Sequence, residues 1–152
     1  MDEQQNKNMR SSRCQSLARR VYCDYMFKPF SGDIVAMAKE NAFYRREVAT
    51  AQDSQVVIMS IPVGSEVGEE VHDDVDQNLL FVAGSGKAVL NGVESPIGEG
   101  ILVMVPRGTS HNFINTGAED LKIVTIYAPP RHEIGTIHKT IEEAEKKPEH
   151  YE

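Results

Sequence analysis

GSEVGEEVHDDVDQNLLFVAG, residues 64 to 84, and GILVMVPRGTSHNFIN, residues 100 to 115, are the stretches whose reading decides the fold. Each opens on a glycine, carries one histidine (His72 and His111) and contains apolar residues at alternating positions. Between them Asn91 and Gly92, set between Leu90 and Val93, form a short-hairpin signature whose glycine tolerates positive φ. Side chains two apart on a strand point to the same side. Glu70 and His72 therefore form one row, Gln77, Leu79 and Phe81 a second, and His111, Phe113 and Asn115 a third. If all three rows face one interior, they make a polar cluster on an apolar wall, with Leu79, Phe81, Phe113 and Asn115 lining the pocket, as small-molecule sites are commonly built.

The intervals resemble those of the cupin family, small β-barrels that commonly hold one metal ion. The family's first motif is Gly, five residues, His, any residue, His, three or four residues, Glu, six residues and Gly. Here Gly64, SEVGE, Glu70, Val71, His72, DDVD, Gln77, NLLFVA and Gly84 meet every interval. Two identities are altered: Glu70 stands where a His is usual and Gln77 where a Glu is usual. The second motif is met throughout by Gly100, Pro106, Gly108, His111 and Asn115. A rival register taking His72 and Asp74 as the histidine pair puts Glu66 where the glycine belongs and is rejected. The run of Asp73, Asp74 and Asp76 then becomes a loop face.

What the resemblance implies is a metal site at Glu70, His72, Gln77 and His111. Glu70, His72 and His111 would supply two imidazoles and one carboxylate, the ligand set of non-haem Fe(II) oxygenases. Gln77 would be a weaker neutral ligand or a hydrogen bonder behind the ligands. Compared with three His and one Glu, an imidazole is exchanged for an amide, which favours one harder divalent ion, Fe(II) or Mn(II), and leaves Zn and Ni open. The competing reading is a metal-free barrel that kept its turns and changed its ligands. The glycines alone fit either, since each suits a tight turn.

A chain of 152 residues is about one domain and long enough for a full core. With 16 basic and 23 acidic residues its formal charge is −7, which argues against nucleic acid and against general attraction to anionic membranes. No apolar run approaches the ~20 residues of a membrane span. Cys14 and Cys23, the only cysteines, lie upstream of the barrel, so no disulfide framework is needed to hold it.

The flanks are read as peripheral, with residues 1–28 a tail or surface segment, 29–130 the barrel and 131–152 an extension with a short helix. Met9 to Cys23 carries four arginines and no acid; this is the composition of a mitochondrial transit peptide, but Asp2 and Glu3 spoil it. The expected location is cytoplasmic, with mitochondrial targeting left open. A helix is predicted over Asp33 to Glu40, capped by Asp33, with Ile34, Val35 and Met37 packing. Strands are predicted over 44–50, 55–61, 69–72, 79–82, 87–90, 101–105, 112–115 and 121–127, with turns that include Pro96 to Gly100. Thr140, three residues before Glu143, predicts a capping box for a helix of about two turns ended by Pro148. His132 and His138, just before it, are read as exposed loop residues in preference to a general acid or base at the barrel mouth.

The expectation is thus an all-β, jelly-roll-like single cupin barrel with short flanking helices. By the resemblance it is a metal-binding protein acting on a small organic molecule, with dioxygenase-type chemistry favoured. Sugar isomerase, decarboxylase or a non-catalytic binding protein are the alternatives, and a homodimer is the default assembly, again by resemblance.

Overall fold

The computed structural model describes residues 27–146, and among these the strand pattern is realised in nine strands, accompanied by two short helices. In chain order these are α1 (Ile34–Glu40), β1 (Arg45–Thr50), β2 (Gln55–Ile61), β3 (Asp76–Ala83), β4 (Ser85–Leu90) and β5 (Val93–Gly98). Then come β6 (Leu102–Val105), β7 (His111–Asn115), β8 (Leu121–Ala128), β9 (Ile137–His138) and α2 (Ile141–Lys146). They form a six-stranded sheet ordered β6-β3-β8-β2-β1-β9 and a three-stranded sheet ordered β5-β4-β7. Every pairing is antiparallel.

The two sheets bury one core between them, as an all-β jelly-roll does. Val57, Met59, Leu79, Phe81 and Ile123 from the large sheet meet Ala88, Ile97 and Phe113 from the small one. The Phe81 and Phe113 rings lie 5.7 Å apart in a tilted pair, a favourable aromatic geometry. β2 is buried on both sides, which explains its nearly continuous apolar run QVVIMSI. Its outward Ile58 sits with Val82 and Val124 under Ala38 of α1. Asp33 caps that helix, its carboxylate accepting from the Ala36 amide at 3.0 Å. Ile34 and Met37 pack as predicted, but Val35 is exposed.

The chain passes from one sheet to the other at Gly84. Its φ is +82°, and a Cβ there would lie 2.6 Å from the Asp120 carbonyl oxygen, so both backbone angle and space require glycine. Asn91 (φ 48°) and Gly92 (φ 80°) make the predicted tight hairpin between β4 and β5.

Two expectations are corrected. The stretch around Pro96, read as a turn, belongs to strand β5, where Pro96 pairs with Lys87. β5 is an edge strand, and an edge tolerates a residue that cannot donate to the ladder. The strand predicted over residues 69–72 is not continuous; isolated bridges join Glu66 to Ile114 and Glu70 to His111. The arginine-rich Met9 to Cys23 stretch and Pro148 lie outside the described residues. No helix among the described residues is long and apolar enough to cross a membrane.

Candidate metal centre

β7 supplies the rigid half of the site. Its burial alternates, with His111, Phe113 and Asn115 turned inward and Asn112 and Ile114 less buried. The other half is the segment from Glu66 to His72, which runs beside β7. Between its two bridges it spends three residues, 67–69, against two on β7, 112 and 113, a bulge centred near Gly68, whose φ is +95°. The Gly68 amide donates to the Asn112 side-chain oxygen at 2.9 Å, fixing the kink. After the bulge Glu70 and His111 exchange both backbone hydrogen bonds at 2.9 Å, so their side chains stand opposite each other. His72, two residues on, is tied to the second motif by the Gly108 amide, which donates to its carbonyl at 2.7 Å. Asp76 further links the two stretches by accepting from the Arg107 amide at 3.0 Å and side chain at 3.2 Å.

These constraints bring three side chains together. One ligand atom from each of Glu70, His72 and His111 lies within 4.8 Å of the others. Glu70 Oε2 is 3.3 Å from His72 Nε2 and 3.9 Å from His111 Nε2, and the two imidazole rings are 5.2 Å apart. His111 Nδ1 donates to the Thr109 carbonyl at 2.9 Å, which leaves the lone pair on Nε2. Nε2 is buried and has no hydrogen-bond partner. A buried acceptor without a partner is costly, and coordinating a cation would satisfy it. Burial, the largest influence, pushes the His111 imidazole below its ordinary value, which keeps it neutral and able to ligate. Burial pushes the Glu70 carboxyl up, but the hydrogen bond and charge of His72, with Arg45 and His111, outweigh it and hold the group below the usual carboxylate value. The donor set therefore fits a divalent ion: an ionised carboxylate, a neutral imidazole whose buried Nε2 lacks a partner, and a second imidazole 3.3 Å from that carboxylate.

Gln77 is buried at the base of the same wall. Its amide nitrogen donates to Thr125 Oγ1 at 3.1 Å and Tyr127 Oη at 3.3 Å, while its Oε1 has no partner. Tyr127 in turn lines a cavity of about 370 Å³ that also exposes Tyr44, Arg45, Glu70, His72, Arg131 and His132. α2 closes one side of this cavity with Ile141, Ala144 and Glu145.

The four residues expected to line the pocket lie elsewhere. Leu79, Phe81 and Phe113 are fully packed in the core, and the Asn115 amide is committed to the Ile61 and Glu119 carbonyls at 2.9 Å. They share the inward face with the ligands, but the sheets close over them and the opening forms further along, beside β1 and β8. His132 and His138, read as exposed, are both buried. His138 lies in β9 and accepts from the Arg45 guanidinium at 3.4 Å. His132 stands edge-on to the Tyr127 ring at 5.1 Å with neither nitrogen hydrogen-bonded. Burial and the charge of Arg45 push it down to about 2, so it is neutral. Burial likewise raises the Tyr44 hydroxyl to about 12 and raises Tyr127, so both phenols stay protonated. Tyr127 was within reach of the sequence, since Leu121, Ile123, Thr125 and Tyr127 form one inward row of β8. Arg45 was not, because nothing local at the start of β1 distinguishes an arginine that lines a cavity from its exposed neighbour Arg46.

The family model described as Cupin domain matches residues 57–127. The uncharacterized protein YrkC of Bacillus subtilis (strain 168) is 40% identical over 124 residues, covering 77% of this chain and 66% of that protein. The uncharacterized protein L612 of Acanthamoeba polyphaga mimivirus is 33% identical over 102 residues, covering 64% of each. Among solved structures, BH2720 from Bacillus halodurans superposes with a TM-score of 0.78 at 35% identity, over 79% of this chain and 96% of that one.

Proposed function

Because the chain belongs to the cupin family, we propose that it is a metal-dependent enzyme acting on a small organic molecule, with Glu70, His72 and His111 holding one divalent transition ion. The observation that carries this reading is the convergence of a carboxylate and two imidazoles to within 4.8 Å, with the lone pair of His111 Nε2 buried and unpartnered. Gln77 Oε1 is the candidate fourth donor, and its amide nitrogen orients Tyr127 in the cavity wall. Fe(II) or Mn(II) is favoured by a ligand set with one carboxylate and an amide in place of an imidazole.

When bound, such an ion would supply a Lewis acid open to an organic ligand and O2, or to a ligand alone; dioxygenase-type chemistry is favoured because two imidazoles and one carboxylate are the ligand set of non-haem Fe(II) oxygenases, with isomerisation or decarboxylation as the alternatives. The protein's own groups do the rest. Thr109 fixes the His111 tautomer, Glu70 is ionised at neutral pH, and Tyr44 and Tyr127 present protonated hydroxyls as donors to a ligand. α2 forms one side of the cavity with Ile141, Ala144 and Glu145.

Oxygen uptake tests the chemistry. Iron-loaded protein in an oxygen electrode should consume O2 only when an organic ligand from a panel of acids, phenols and sugars is added. A stoichiometric metal with no uptake across the panel would exclude the oxygenase reading and leave isomerase, decarboxylase or binding protein.

A homodimer is part of the proposal. Leu102, Met104 and Ile126 are exposed, and the common partner Asn78 sets Met104 and Ile126 on one outer face of the large sheet, an apolar strip that a second copy could cover.

A further inference from the structure

We infer that the cavity is a receptor for an organic anion, a small molecule carrying at least one carboxylate, and that Arg45 is the residue that selects it; the inference rests on the metal reading in sharing that cavity. Arg45 is only 9% exposed, yet it lines the cavity beside Glu70 and His72. A guanidinium stays charged at any physiological pH, and a buried charge is retained at a cost unless something compensates it. The compensation within the protein is incomplete. One nitrogen donates to the imidazole of His138, the group stacks 5.3 Å from the Tyr44 ring centroid, and Nε is buried without a partner. Among the described residues no carboxylate lies within ion-pairing distance of it. Arg131, the second arginine of the cavity wall, is different, for it is held 3.3 Å from Asp74.

The other acids of the lining do not answer for Arg45. Glu69 accepts from Ser110 Oγ at 2.8 Å and is exposed, as is Glu145. Glu70 feels Arg45 through space but is turned to His72. With a divalent ion on Glu70, the charges of that carboxylate, the ion and Arg45 come to two positive in a partly enclosed space. A ligand carboxylate would neutralise part of that charge, and its two oxygens match the fork of a guanidinium. The neutral rings of His132, Tyr44 and Tyr127 would wall the apolar part of the molecule. A cavity of this volume suits a small acid.

The test is calorimetric titration of the full chain, loaded with Mn(II), with acetate, pyruvate, glutarate and benzoate and with the matched uncharged amides. At least one acid should bind about tenfold or more tightly than its amide, the effect of a charged hydrogen-bond pair. R45Q should erase that preference while holding as much Mn(II) as the wild type, and R45K should keep part of it. Equal binding of acid and amide, or of acid to wild type and R45Q, would overturn the inference, as would failure of all four acids to bind. The acid-to-amide comparison needs only the wild type, so a misfolded R45Q leaves it decisive. If Mn(II) binds and no acid is preferred, this inference fails alone. If no Mn(II) binds but the preference and its loss in R45Q persist, the metal reading fails and the anion site stands.

Discussion

An imidazole buried with both nitrogens unpartnered, as in His132, can take a proton only by leaving its surroundings. Its folded pKa of about 2 lies below the ordinary 6.5, so on acidification the unfolded chain binds the proton first. Stability from this residue is therefore complete above the unfolded value and declines continuously as pH falls from there toward 2. Between pH 7 and 5 the loss is about 2 kcal/mol, by proton linkage. His111 acts in the same direction, since its folded value is also depressed. Metal-free protein should thus melt at lower temperature at pH 5 than at pH 7, and His132→Phe, which keeps an aromatic ring against Tyr127, should flatten that slope. Parallel pH profiles for the two proteins would contradict the buried neutral assignment. The sequence did not reveal this burial, because nothing local distinguishes a loop histidine that folds back under β1 and Tyr127 from one in water. By contrast, the triad of Glu70, His72 and His111 was legible, since alternation and the two motif intervals are local and hold in any strand-like segment.

The element on which the site depends is the bulged segment beside β7. Gly68 takes φ +95°, and a Cβ there would meet nothing within 4 Å, so Gly68→Ala tests backbone angle alone. Holding alanine in that region costs about 1–3 kcal/mol, and the segment can relieve the strain by straightening. Straightening would remove the extra residue from the pairing and rotate Glu70 away from His111. The expected result is a modest fall in melting temperature with a metal affinity lower by about tenfold or more, as when a ligand loses its support. An equal metal affinity in both proteins would show that the bulge does not position Glu70. Strand existence was readable along most of the chain, but this bulge and the edge strand through Pro96 were not. Each is decided by what lies alongside, β7 for the bulge and open space beyond β5 for the proline.

For the molecule as a whole, the sequence identified the all-β class, the hairpin at Asn91 and Gly92 and the core rows, because burial between two sheets imposes the same alternation on every inward strand. The location of the cavity was legible only in part, since residues 67–70 and His72 of the first motif line it but β1, β8, the loop at Arg131 and His132, and α2 complete it from outside both motifs. The exposed strip of Leu102, Met104 and Ile126 yields a further expectation. Light scattering should give twice the chain mass, and Met104→Glu should reduce it to one chain without loss of bound metal. A wild-type mass of one chain would remove the dimer. The central claim, that Glu70, His72 and His111 bind one ion, is tested most directly by metal analysis of protein purified without added metal. About one iron or manganese per chain is predicted for the wild type, with Glu70→Ala and His111→Ala each losing it while remaining folded. A metal-free wild type that also fails to take up Fe(II) or Mn(II), or undiminished metal in both variants, would contradict the account.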